Sequence, residues 1–193
     1  MAAPSRPFAQ VMRSRARLRD ACRLTLCAMF ALALAAEAQD VQPLPESPDT
    51  RYFDFWEGTW YQLVGGRPDP SRTVFRVSRG VHRAAFLEDW RLVIDTVVIR
   101  AIALRAWDKT NMRWMYTWVS DNGLYQVWEG RKVDTAWFFF HEFEVAGDRY
   151  SSRQAWLPNG PNRLVRISER SDDGGRTWTP RFREEYERRA RAP

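Results

Sequence analysis

Cysteine occurs twice in the 193 residues, as Cys22 and Cys27, both within the first forty. Nothing downstream can therefore form a disulfide, a thiolate metal site or a catalytic thiol. Histidine is as scarce: His82 and His141 stand far apart, without the spacing of metal ligands, which argues against zinc. No Ser-His-Asp order, glycine-rich phosphate loop or nucleophile elbow occurs. No stretch has the periodicity of an amphipathic helix, and no apolar run reaches the roughly 20 residues of a membrane span. Neither a metal nor another cofactor is expected from this inventory.

The longest apolar run, "LTLCAMFALALAA" from Leu24 to Ala36, follows Arg13, Arg15, Arg17, Arg19 and Arg23, and precedes Ala36-Glu37-Ala38. Basic region, apolar region and small-residue site together read as a Sec-type signal peptide over residues 1–38, cut after Ala38, with translation starting at Met1 or Met12. Leu26 before Cys27 disfavours lipidation, and no Arg-Arg pair precedes the apolar run, which disfavours the twin-arginine route. A periplasmic or secreted protein with no membrane attachment after cleavage is expected. The segment carries away six arginines against Asp20 and Glu37, so the formal charge of +6 falls to about +2 with both signs interleaved. No remaining stretch concentrates Lys and Arg, and nucleic acid is not an expected partner. Oligomeric state is left open.

Residues 39–50, "QDVQPLPESPDT", contain three prolines and no apolar alternation, and read as an extended linker. From Arg51 to Arg189 the chain is a series of short runs rich in aromatic and β-branched residues, divided by turn signals such as "GGRPDP", "SDNG", "AGD" and "DDGG". In "MRWMYTWVS", Met112, Trp114, Tyr116 and Trp118 share one face. In "TAWFFFHEFEV", Trp137, Phe139, His141, Phe143 and Val145 do the same. "VVIRAIALRAW" is largely apolar on both faces, which predicts a strand covered on two sides. The expected fold is all-β: an up-and-down antiparallel β-barrel of about ten strands, lipocalin-like, with at most a helical turn near Tyr52 to Phe55. Closure removes the two exposed edges that so many strands would otherwise leave. A β-sandwich is the alternative.

"SDDGGRTW", residues 171–178, fits the Ser-x-Asp-x-Gly-x-Thr-Trp box of sialidase propellers. A propeller needs several copies and a longer chain, and one copy is present. Between "LVRISER" and "TWTPRFREEYERR" the box reads as a hairpin loop. There Asp173 accepts bonds from its own turn, Gly174 and Gly175 supply positive φ, and Trp178 packs over the loop.

"FDFWEGTW" at 53–60, "RWMYTWVSDNG" at 113–123 and "SERSDDGGRTWTPRF" at 168–182, in this order, resemble a bacterial family of secreted proteins known as domain of unknown function 1579. The resemblance covers roughly residues 51–189. That family is similar to the lipocalin and nitrobindin (calycin-type) barrels, and Gly58-Thr59-Trp60 is similar to the Gly-x-Trp that opens them. The resemblance implies a barrel with an internal pocket and implies no reaction. This chain departs from the family pattern at Glu57 and has Tyr116 where a polar residue is common. Nitrobindin-like barrels hold haem through a late-strand histidine, and residues 142–193 contain none.

All ten tryptophans lie after residue 38. They either replace disulfides by packing or line a cavity that grips a small apolar or aromatic ligand. Residues expected to face such an interior are Trp60, Glu88, Trp90, Arg105, Trp114, Tyr116, Trp118, Trp128, His141, Arg153 and Glu169. An interior Glu88 must pair with arginine or shift its pKa upward, and Arg105 and Arg153 lie on strands from which they can answer it. Three functions fit. The first is a binding barrel for a small apolar or aromatic ligand, with Glu88 and an arginine fixing its polar end. The second is a small isomerase or hydrolase using Glu88 or Glu169 as base. The third is an interaction module with a core filled by its own aromatics. No catalytic residue is assigned.

Overall fold

A computed structural model describes Leu44 and residues 46–189. The signal-peptide reading and half of the linker lie outside the described residues. Eleven strands follow one another: β1 (Gly58–Val64), β2 (Arg67–Pro68), β3 (Val74–Arg79), β4 (Ala85–Ile94), β5 (Val97–Asp108), β6 (Arg113–Ser120), β7 (Tyr125–Val133), β8 (Ala136–Val145), β9 (Asp148–Pro158), β10 (Arg163–Ser171) and β11 (Thr179–Arg189). Each of β3 to β11 pairs antiparallel with its sequence neighbour. β1 joins β3 on one side and β11 on the other. Ten strands thus close an up-and-down barrel, and the two-residue β2 is an extra pairing on the end of β1. The sandwich alternative is excluded by the β1–β11 ladder, in which Thr59 faces Arg189 and Gln62 faces Tyr186.

The hairpins follow from local chemistry. Two-residue loops join β4 to β5 at Asp95-Thr96, β7 to β8 at Asp134-Thr135 and β8 to β9 at Ala146-Gly147. Asp95, Asp134 and Ala146 have φ of 53°, 53° and 52°, the left-handed conformation that matches the twist of the flanking strands. Gly58, at φ 133°, opens β1 where a Cβ would run into the aliphatic stem of Arg188. The Arg188 guanidinium donates to the carbonyls of Phe55, Glu57 and Pro161 at 2.8–3.0 Å, tying the start of the sheet to its end.

Alternation sends Trp60, Phe75, Trp90, Trp114, Tyr116, Phe139 and Trp156 inward, each buried almost completely. Segment 47–56 fills one end of the barrel as a run of turns. Phe53 and Trp56 enter the core, and Asp49 receives the Trp114 indole on its carbonyl at 2.8 Å and Lys132 on its carboxylate at 2.6 Å. Thr50 is buried, so residues 47–50 pack with the barrel rather than trailing from it as linker. Strand β5 departs from expectation: Val98, Ile102 and Leu104 on its outer face are 46%, 64% and 44% exposed. A closed barrel has one interior, and nothing among the described residues covers that outer face.

Candidate functional site

The closed half of the barrel is a solid aromatic core built around one ion pair. Glu88 on β4 and Arg105 on β5 are fully buried, with Arg105 Nε donating to Glu88 Oε1 at 2.8 Å. Trp56 donates its indole N–H to the same oxygen at 2.8 Å, and Trp90 donates to Oε2 at 2.9 Å. The carboxylate therefore has three donors, which offset the cost of its desolvation. Arg105 Nη1 and Nη2 have no hydrogen-bond partner. Its guanidinium carbon instead lies 4.1–5.0 Å from the ring centres of Phe53, Trp56, Tyr116, Phe139 and Trp156. These π faces stabilise the cation where no acceptor is present.

The other half is hollow. A cavity of about 340 Å³ opens between the β4–β5, β6–β7, β8–β9 and β10–β11 hairpins. Trp118, Trp128, Phe143, Tyr150 and Phe182 form its walls, and Tyr116, Ser152, Gln154, Arg166 and Ser168 its floor. Size and lining fit a small molecule, apolar at the sides with a few convergent polar groups. Arg166 on β10 donates through Nη1 to Glu184 Oε2 at 3.2 Å and through Nη2 to Gln154 Oε1 at 3.1 Å, while its Nε is buried without a partner. Burial works against its charge, but Glu184, Tyr186 and Tyr116 outweigh that effect and its pKa is raised. Burial, then the nearby Glu88 charge, pushes the Tyr116 phenol well above its ordinary range. Tyr116 therefore keeps its proton as a donor at neutral pH.

The β7–β8 ladder stops at Glu129 and Phe140, short of the open end. Beyond it the Val127 carbonyl lies 2.9 Å from His141 Nδ1. A carbonyl only accepts, so the proton of that imidazole is on Nδ1. The ring packs against Trp128 and Phe143, and His141 braces the seam from outside the cavity lining.

Of the expected interior residues, Tyr116, Trp118 and Trp128 line the cavity. Trp60, Glu88, Trp90, Arg105 and Trp114 are interior but lie in the filled half, with no side chain on the cavity. Arg153 and Glu169 require correction. They pair with each other at 2.5 Å on the outer face, because inward positions of β9 and β10 are Ser152, Gln154, Trp156, Leu164, Arg166 and Ser168. Arg153 therefore does not answer Glu88, and Glu169 is not an interior base. Glu88 has donors on both oxygens and none of them comes from the cavity. Sequence reasoning passed over Arg166, Gln154 and Ser168, although the alternation of "RLVRISER" places Leu164, Arg166 and Ser168 on one face.

The box at 171–178 is a turn whose carboxylate is fully engaged. Asp173 accepts from the Thr177 hydroxyl at 2.6 Å, the Thr177 and Arg176 amides at 2.9 and 3.0 Å, and Ser171 Oγ at 2.8 Å. Led by the Thr177 hydroxyl, these bonds hold it well below the usual carboxylate range. Gly174 and Gly175 have φ of 73° and 87°. Trp178 folds over the outer wall, 4.3 Å from the Arg153 guanidinium and edge-on to Phe140.

Fold and cavity define a closed antiparallel β-barrel, filled at one end and hollow at the other. No protein-family model and no curated protein matches the chain.

Proposed function

We propose that this chain is an exported β-barrel that binds a small, partly apolar or aromatic ligand in its interior. The observation that carries the reading is the cavity of about 340 Å³ with aromatic walls and a polar floor in a barrel otherwise packed solid. Filling that end with further side chains would stabilise the fold, so an unfilled half has a cost that ligand binding explains. The reading differs from the sequence-based one in the polar anchor: Glu88 and Arg105 satisfy the core, and the floor residues Tyr116, Gln154 and Arg166 face the ligand. Export rests on the N-terminal pattern of residues 1–38. The likeness to family 1579 rests on its three motifs, which here form the end plug with β1, strand β6 with its turn, and the β10–β11 hairpin.

Trp118 and Trp128 line the cavity, so occupancy alters their emission. Titration with a panel of neutral and charged aromatic metabolites is expected to give saturable quenching and a rise in melting temperature for at least one. Ser168→Phe, which fills the floor, should abolish both. A panel with no saturable response would count against the reading.

A further inference from the structure

The cavity lining is electrostatically one-sided. Its charged members are Arg166 on the floor and Arg181 at the mouth, and neither Asp nor Glu is among them. Glu184, which pairs with Arg166, is not part of the lining and also accepts the Tyr186 hydroxyl at 2.8 Å. Arg181 makes no ion pair among the described residues, and its guanidinium carbon lies 6.0 Å from the centre of the Tyr150 ring. Glu184 behind the floor offsets part of the Arg166 charge, while Arg181 at the mouth is uncompensated, so a cavity with low-dielectric aromatic walls and only cationic lining charges favours an anion.

The donors point the same way. Glu184 and Gln154 each accept one proton of the Arg166 guanidinium, whose carbon lies 4.8 Å from the Phe182 ring, and its remaining Nη protons are free to donate at the cavity floor. Tyr116 beside it stays protonated, and the Ser168 hydroxyl lies on the same floor. A planar carboxylate suits a guanidinium edge, where two oxygens can accept from neighbouring N–H groups. The volume above the floor takes one or two fused rings between Trp118, Trp128 and Phe143.

We infer that the ligand is a small aromatic carboxylate whose acid group sits on Arg166 and whose rings lie between the cavity's tryptophans, with Arg181 attracting it at the mouth. This rests on the binding-barrel reading and narrows it from any small aromatic molecule to a monoanion.

The test compares 1-naphthoate with 1-naphthalenemethanol, equal in rings and different in charge, by calorimetric titration of the protein at low and high salt. Naphthoate is expected to bind about tenfold or more tightly than the alcohol, the margin of a charge-assisted hydrogen bond. Arg166→Gln should bring naphthoate down to the level of the alcohol. Arg166→Gln leaves Glu184 without its cation and can fail to fold. The paired variant Arg166→Gln/Glu184→Gln removes both charges, and it too should bind the alcohol unchanged and lose the preference. Arg181→Gln should reduce the preference about twofold and flatten its salt dependence. Equal binding of acid and alcohol overturns the anion assignment and leaves the cavity reading standing. Binding of neither overturns both, and a paired variant that still prefers the acid overturns the role of Arg166.

Discussion

At the residue scale the barrel turns on Glu88, which holds two indoles and a guanidinium at once. Removing one partner of a buried pair leaves the other charge uncompensated, at a cost of about 3–5 kcal/mol. Glu88→Gln keeps the shape but removes the charge, so Arg105 loses its counter-ion and one of the two carboxylate oxygens that accept from Arg105, Trp56 and Trp90 becomes an NH2 donor. Urea unfolding should show a loss of that order, with no change in affinity for any cavity ligand because Glu88 is absent from the lining. A variant of full stability that loses binding would instead return Glu88 to the site. Arg153 and Glu169 teach a different lesson about single residues. Their types suggested interior chemistry, but the parity of their strands puts them outside.

At the scale of elements, strand β7 depends on how closely two backbones approach. A Cβ on Gly130 would collide with the Trp114 carbonyl on β6, and neither backbone can yield without breaking the ladder on either side. Gly130→Ala should destabilise by about 1–3 kcal/mol or more. The cost should appear as faster amide exchange in β6 and β7, whereas exchange confined to the β10–β11 hairpin would contradict it. Most strands were legible from alternation alone: β5, β6, β8, β10 and β11 fall within a residue or two of the runs that signalled them. The Asp95-Thr96 turn was not, because neither glycine nor proline marks it, and its positive φ is imposed by the hairpin that flanks it. The apolar outer face of β5 misled for a related reason. Period-two pattern reports which residues share a face and says nothing about what covers it.

For the whole molecule the decisive feature is closure. Arg188 on β11 reaches back to the carbonyls of Phe55 and Glu57 and across to Pro161, and its guanidinium lies 5.3 Å from the Trp60 ring. These are charge-assisted bonds to groups that have no other partner in the sheet. Arg188→Ala should therefore cost on the order of 2–4 kcal/mol. Local opening should concentrate at β1 and β11, read by hydrogen exchange of those two strands. Uniform exchange around the barrel would show that the strand ladder closes it unaided. Closure also divides labour along the axis, with segment 47–56 plugging one end and the hairpins leaving the other open.

The amino-acid sequence by itself determined most of the strands, their alternation and the nature of the 171–178 turn. Each of these depends on residues close together in the chain. Only the tertiary structure decided that the plug meets Glu88 and Arg105, that Arg153 and Glu169 face outward, and that Arg166 and Arg181 are the charged residues lining a hollow. Those outcomes depend on strand register and barrel closure, which bring together positions as much as 130 residues apart. No local pattern carries that information.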